Sequence, residues 1–300
     1  MINLSFDFNL FNSYYFFYER LFVLLFALVP AILLVWFVLH TDRKDKEPKK
    51  NIIICLLSGI LTISLASYLE GLVAPYFSNN IILTYVWATI EELAKIAIFF
   101  LFIFDNKHYD DIYDGLVYMM LIALSFAGLE NILYAFSEST ISESISLALM
   151  RDLTTIPLHV ICGIVIGFFI SIGNFSKDKY QKYINFALAV IVSSFIHGTY
   201  NNLMSLLGSI NLVDNAILIL LFKALPLLII MVVLYIIAFK FSKKTLELNN
   251  IYINNGKYEE KYKYLMIKSE YKKSETYNNR IVFYEKTNFK NRKEKDDKNV

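Results

Sequence analysis

The sequence predicts an all-α, polytopic membrane helix bundle with about seven transmembrane helices. Of its 300 residues, 56% are hydrophobic and 19% charged, and the mean hydropathy is +0.47. That balance lies outside the range of soluble globular domains. Seven apolar stretches of about 19–28 residues are each long enough to cross roughly 30 Å of hydrocarbon. The segments after the first, fifth and seventh spans are rich in Lys and Arg and those after the second and sixth have none, as cytoplasmic and external loops do.

Residues 1–20, rich in Phe and Tyr, read as an interfacial segment, and no cleavable signal peptide is expected there. The spans follow at 21–39, 52–74, 81–104, 115–136, 154–173, 184–207 and 212–239. After the first come Arg43, Lys44, Lys46, Lys49 and Lys50, and after the fifth Lys177, Lys179 and Lys182. The loops after spans two and six carry no Lys or Arg, the loop after span three only Lys107, and the loop after span four only Arg151. The positive-inside rule therefore places the N-terminus outside and the C-terminus in the cytoplasm. Fifteen of the 29 Lys and Arg residues lie after position 240, beside nine acidic residues. Residues 241–300 are read as a charged, disordered cytoplasmic tail able to lie on anionic lipid. The transmembrane domain is thus expected at 21–240. Cys55 and Cys162 sit in apolar runs and read as small buried hydrophobes, not as a disulfide or a nucleophile.

The third span breaks the pattern, because Glu91, Glu92 and Lys95 stand in the middle of it. One charged side chain at the centre of a transmembrane helix costs roughly 2.5–3.5 kcal/mol on insertion scales. Three charges within five residues therefore point to a polar site. Counting about 1.5 Å per residue from the outer end of each span puts Glu91, Glu92 and His197 at roughly 15 Å depth. The same count puts Glu130 at roughly 9 Å, His159 at roughly 8 Å and Glu70 at roughly 6 Å. All fall in the outer half of the bilayer. Helical phase sets Glu91 with Lys95, Phe126 with Glu130 and Tyr134, His159 with Gly163 and Gly167, and His197 with Asn201. The Gly163-x-x-x-Gly167 pair lets another helix approach closely.

Each residue also has a plainer reading. His159 serves as an interhelical hydrogen bond, Glu91–Lys95 as a structural ion pair, Glu70 as a solvated or bridging group, and Lys223 as a counter-charge. Those readings do not account for carboxylates, imidazoles and an amide gathered at one level. Peptide hydrolysis needs a water, a base to activate it and donors for the oxyanion. Paired with Lys95, Glu91 is expected to be the ionised base, and His197 with Asn201 supplies donors. Glu91, Glu130, His159 and His197 equally suit a divalent metal. A proton-coupled transporter would also hold intramembrane Glu, His and Lys, but no inverted repeat is found. A non-catalytic membrane scaffold leaves the polar set unexplained. No His-Glu-x-x-His, Gly-x-Ser-x-Gly or phosphate-binding Gly-rich loop is present.

In this order, Glu91-Glu92-x-x-Lys95, Phe126-x-x-x-Glu130-Asn131, His159 and His197 resemble the motifs of PrsW-type intramembrane glutamate proteases. Asp114-Gly115, Phe126-Ala127-Gly128 and Arg151 fit the same pattern, and the resemblance covers about residues 50–210. The family is similar to type II CAAX prenyl endopeptidases and bacteriocin-processing membrane proteases. Their motifs resemble Glu-Glu-x-x-x-Arg, Phe-x-x-x-His and His-x-x-x-Asn. Lys95 stands one residue before their Arg, and Glu130 replaces their His, which argues against a prenyl-peptide substrate. His197-x-x-x-Asn201 matches outright. The resemblance implies a bacterial plasma-membrane endopeptidase in which Glu91 with Glu130 activates water and His197 with Asn201 stabilises the oxyanion. Glu92 and His159 complete the set, and Lys95 supports it. It implies no cofactor, with a divalent metal left open. The implied partners are the bilayer and a membrane-anchored protein substrate such as an anti-sigma factor, cut near the outer leaflet, and no nucleic acid.

Overall fold

The computed structural model of the protein describes residues 8–41, 46–176, 178–209 and 225–254. The helices are α1 (Phe8–Thr41), α2 (Lys49–Val73), α3 (Asn80–Phe102), α4 (Ile112–Ser137), α5 (Ile141–Leu153), α6 (Thr155–Phe175), α7 (Lys179–Ser209) and α8 (Leu225–Asn254), with a 3₁₀ turn at Ala74–Tyr76. No strand occurs among the described residues. Among the described residues, six helical stretches are long and apolar enough to cross a membrane. At 23 residues, α3 matches them in length but carries Glu91, Glu92 and Lys95. The expected all-α, multi-pass bundle is therefore the architecture found.

Local chemistry sets the helix starts. Asn79 caps α3 by accepting from the amides of Ile81 and Ile82 at 2.9 and 3.1 Å. Asp111 and Asp114 form a reciprocal capping box at the start of α4. Over 70% of the most apolar stretch of α4, and of α5–α6 together, is buried. In α1, α2, α7 and α8 the share is 33% or less. So α4 and α6 form the interior, and the others present apolar faces outward, as lipid-facing helices do.

The α4–α6 contact is close because glycines line it. A side-chain carbon at Gly163 would meet the Met119 carbonyl oxygen at 3.0 Å, and one at Gly167 would come within 2.8 Å of the Gly115 carbonyl carbon. This is the approach expected of the Gly-x-x-x-Gly pair. Gly167→Val is expected to force α6 off α4 and destabilise the protein by about 1–3 kcal/mol, as overpacking typically does. A thermal melt in detergent reads this directly, and an unchanged midpoint would show that the contact tolerates the added volume.

Two expectations need correction. Residues 141–153, read as a loop, form α5, which packs against α1, α4 and α6. Its start is fixed by a Thr140–Glu143 capping box. Residues 241–254, read as the opening of a disordered tail, continue α8. There Asn249 is clamped onto the start of α4: its Oδ1 accepts from the Ile112 amide at 2.9 Å and its Nδ2 donates to Asp111 at 2.9 Å. Those bonds hold a polar stretch in helix well beyond the apolar span. The beginning of the seventh span with Lys223, the remainder of the tail (255–300) and residues 1–7 lie outside the described residues.

Candidate active site

A small apolar layer floors the site. Ala66 of α2, Ala94 of α3 and Phe126 of α4 pack together in it. The polar residues gather around and above this layer, drawn from α3 (Glu91, Glu92, Lys95), α4 (Glu130), α5 (Arg151), α6 (His159) and α7 (His197). The rough depths read from the sequence differ by several ångströms among these groups, yet the fold brings them into one connected set.

Contacts run as a chain. Arg151 Nη2 donates to Glu130 Oε2 at 2.7 Å, and the same oxygen lies 3.0 Å from His159 Nε2. His159 Nδ1 is 3.0 Å from Lys95 Nζ, which donates to Glu92 Oε1 at 2.8 Å. Glu92 Oε1 is 2.7 Å from His197 Nδ1, and His197 Nε2 faces Glu91 Oε2 at 3.8 Å. Phe126 lies beneath this chain, its ring 4.4 Å from Lys95 Nζ and 5.2 Å, edge to face, from His159.

Donor and acceptor roles follow from the lysine, which has only N–H groups to offer. His159 Nδ1 must accept from Lys95, so His159 Nε2–H donates to Glu130. Glu92 accepts from both Lys95 and His197, so His197 carries a proton on Nδ1, and in the neutral ring its Nε2 is then an acceptor. Nε2 lies 3.8 Å from Glu91 Oε2, a buried oxygen with no hydrogen-bond partner among the described residues. With His197 neutral, two acceptors face each other at the end of the chain. A water donating to both, or a cation receiving from both, satisfies them together.

The cations are already matched. Lys95 pairs with Glu92 and Arg151 with Glu130, which leaves Glu91 as the carboxylate without a lysine or arginine partner in this chain of contacts. This corrects the expected Glu91–Lys95 pair. Lys95 turns instead to Glu92, three residues before it, because there its ammonium also reaches His159 across the helix interface. Glu92, Lys95 and His159 are 0% exposed, whereas Glu91 is 8% exposed and the Glu130 side chain 14%. Glu92, Lys95 and His159 are thus sealed inside, and Glu91 and Glu130 lie nearer the outside.

Other residues fall differently from the sequence reading. Asn201 is half-buried and makes no side-chain hydrogen bond to the set, while its neighbour Asn202 donates to the Gly198 carbonyl at 3.0 Å. Arg151, noted only for its place ahead of His159, is a direct partner of Glu130 and lies 4.1 Å over the Tyr134 ring. Its signal in the sequence was its isolation as the sole basic residue of an otherwise uncharged-to-acidic connection. Tyr200 was not singled out. It donates to Thr154 Oγ1 at 2.7 Å and lies 3.2 Å from Thr155 Oγ1, tying α7 to the start of the helix that carries His159. Both cysteines are buried and unpaired.

Glu91, His159 and His197 each offer an atom within 4.8 Å of the others. One carboxylate and two imidazoles are a ligand set found at catalytic zinc, and Glu92 backs His197 through Nδ1 as carboxylates back metal-bound histidines. Both nitrogens of His159 are engaged by Lys95 and Glu130, so it joins only by exchanging one of those bonds. Glu130, counted among possible ligands from the sequence, is outside this group and is taken up by Arg151 and His159. The residues fit a metal.

Residues 47–267 match the family described as PrsW family intramembrane metalloprotease. The chain is 28% identical over 188 residues to Protease PrsW of Clostridioides difficile (strain 630), covering 61% of this chain and 79% of that one. It is 26% identical to Protease PrsW of Bacillus subtilis (strain 168), covering 61% and 83%. It is 27% identical to Protease PrsW of Oceanobacillus iheyensis, covering 65% and 88%. No solved structure matches.

Proposed function

Because the chain belongs to the PrsW family of intramembrane proteases, and so is a multi-pass, membrane-embedded protease, we propose that it hydrolyses a peptide bond of a membrane-anchored protein with water activated at Glu91. The observation that carries this reading is the pair of facing acceptors, Glu91 Oε2 and His197 Nε2, 3.8 Å apart. A water held between them is aimed by two groups at once. Glu91 takes its proton as the oxygen attacks the scissile carbonyl carbon, and then returns that proton to the leaving amine. Glu92 fixes the His197 ring through Nδ1, and Lys95 fixes Glu92. Glu130, held by Arg151 and His159, lines the opposite side of the entrance. Asn201, one turn from His197 on the same helix and with no side-chain hydrogen bond among the described residues, is the donor proposed for the oxyanion.

A divalent metal held by Glu91, His159 and His197 would supply an acidified water and polarise the scissile carbonyl. The test is cleavage of a single-span substrate by the purified protein in liposomes, before and after prolonged chelation. Under the metal reading activity disappears and returns on adding a divalent ion. Activity that survives complete removal of bound metal supports the carboxylates acting alone.

The proposed orientation has the N-terminus outside and the C-terminus in the cytoplasm of a bacterial plasma membrane, supported by the Lys and Arg distribution. It puts the site toward the outer leaflet, where an anti-sigma factor or similar single-span protein is the substrate class proposed. A reporter active only in the cytoplasm, fused after Val300, should be active; silence there would reverse the orientation.

A further inference from the structure

Glu70 stands apart from the chain of contacts just described, yet it shares their level. The inward face of α2 is marked by Cys55, Gly59, Thr62 and Ala66, and one further turn along the same face brings Glu70. Ala66 belongs to the floor layer with Ala94 and Phe126. Consecutive spans alternate in direction, so α2 and α4 run the same way. One turn beyond Ala66 on α2 is Glu70, and one turn beyond Phe126 on α4 is Glu130. On the opposing α3, about one turn back from Ala94 is Glu91. Three carboxylates from three helices therefore occupy one layer, about 6 Å above the floor. They are close enough to act electrostatically on one another.

Glu70 is the costly member of this layer. It has no Lys or Arg within ion-pairing distance among the described residues, since Lys95 and Arg151 are held by Glu92 and Glu130. It also lies in the last turn of α2, where its own carbonyl accepts the Ala74 amide and the helix dipole already disfavours negative charge. Its Oε1 is buried without a hydrogen-bond partner, although the residue as a whole is half-buried and borders the outside. Leucine there would continue the apolar stripe at no such cost. A carboxylate kept against repulsion, dipole and desolvation has a use for a positive charge that arrives from outside the fold.

We propose that Glu70 is a specificity-determining residue that receives a Lys or Arg side chain of the substrate, next to the peptide bond presented to Glu91. The assignment rests on the protease reading above and adds the charge of the substrate to it. A substrate cation seated at Glu70 gives that carboxylate a partner, as Arg151 does for Glu130, leaves Glu91 unpaired for the water, and fixes the register of the chain being cut. A neutral residue in the same place leaves Glu70 buried without a partner, which the site disfavours.

The test uses the full-length protein in liposomes and three versions of one cleaved single-span peptide, with Lys, norleucine or Glu at the position flanking the scissile bond, scanned on either side. The readout is the ratio of kcat/KM values, which cancels differences in the amount of folded enzyme. Wild-type protein is expected to prefer Lys over norleucine by about 10–100-fold, the range of a charge-assisted contact. Glu70→Gln should bring that ratio to about one, Glu70→Lys should shift preference to the Glu peptide, and Glu70→Asp should retain the preference for Lys. If wild type cuts all three and neither Glu70→Gln nor Glu70→Lys moves the ratio, the assignment falls while the protease reading stands. If Glu91→Gln cuts these peptides as fast as wild type, the proposed mechanism at Glu91 falls and takes this assignment with it.

Discussion

Glu91→Gln is expected to reduce cleavage by about 10²–10⁴-fold, the usual loss on removing a positioned base, while the protein stays folded in the membrane. Gln keeps the length and shape of the side chain but cannot take a proton from water. It also presents an N–H where Glu91 now presents a lone pair. Because Glu91 is the one carboxylate of the chain of contacts without a Lys or Arg partner, neutralising it removes no lysine or arginine ion pair. Folding should be largely indifferent to the change, and activity should not. Cleavage assayed in liposomes, with melting in detergent alongside, separates these effects. A variant that cuts at the wild-type rate would remove Glu91 from the mechanism.

Lys95→Met is expected to do the reverse and strike the fold first. Lys95 is 0% exposed and serves three groups at once: Glu92 at 2.8 Å, His159 at 3.0 Å and the face of Phe126 at 4.4 Å. Removing one member of a buried ion pair leaves the other charge stranded, at a cost of about 3–5 kcal/mol. The melting temperature should fall markedly, and the folded fraction should lose activity because neither Glu92 nor His159 is held in place. Raising the pH should not restore it, since the direct contacts of the lysine are to Glu92 and His159 and their loss displaces groups that no pH change returns to place. Lys95→Arg keeps the charge and should retain more of both properties, with some loss from its different geometry. Recovery of Lys95→Met activity at high pH would show that Lys95 serves Glu91 after all.

Hydropathy and loop charge made the bundle legible, because lipid demands long apolar helices and both signals are sums over many residues. The polar set was legible for the opposite reason, each member being expensive where it stands. What escaped was decided by single contacts. Lys95 is about equally placed in sequence to reach Glu91 or Glu92, and only the position of His159 on α6 settles which. Helix α5 has 13 residues and is too short and polar to register as a span; its Thr140-x-x-Glu143 capping box was the available signal. The helix at 241–254 depends on Asn249 meeting the start of α4, a contact between positions more than a hundred residues apart. His197 and Asn201 share a helix face as expected, but only His197 enters the hydrogen-bonded set.

The central claim is that Glu91 and His197 hold one water between them and act as a unit. A double-mutant cycle on kcat/KM tests it most directly, using Glu91→Gln, His197→Gln and the two combined in liposomes. Groups that share one function are strongly non-additive: once either is lost, losing the other costs little more. The double variant is therefore expected to be about as slow as the slower single variant. Losses that multiply, so that the double variant falls by the product of the two single effects, would show independent roles and contradict the shared water.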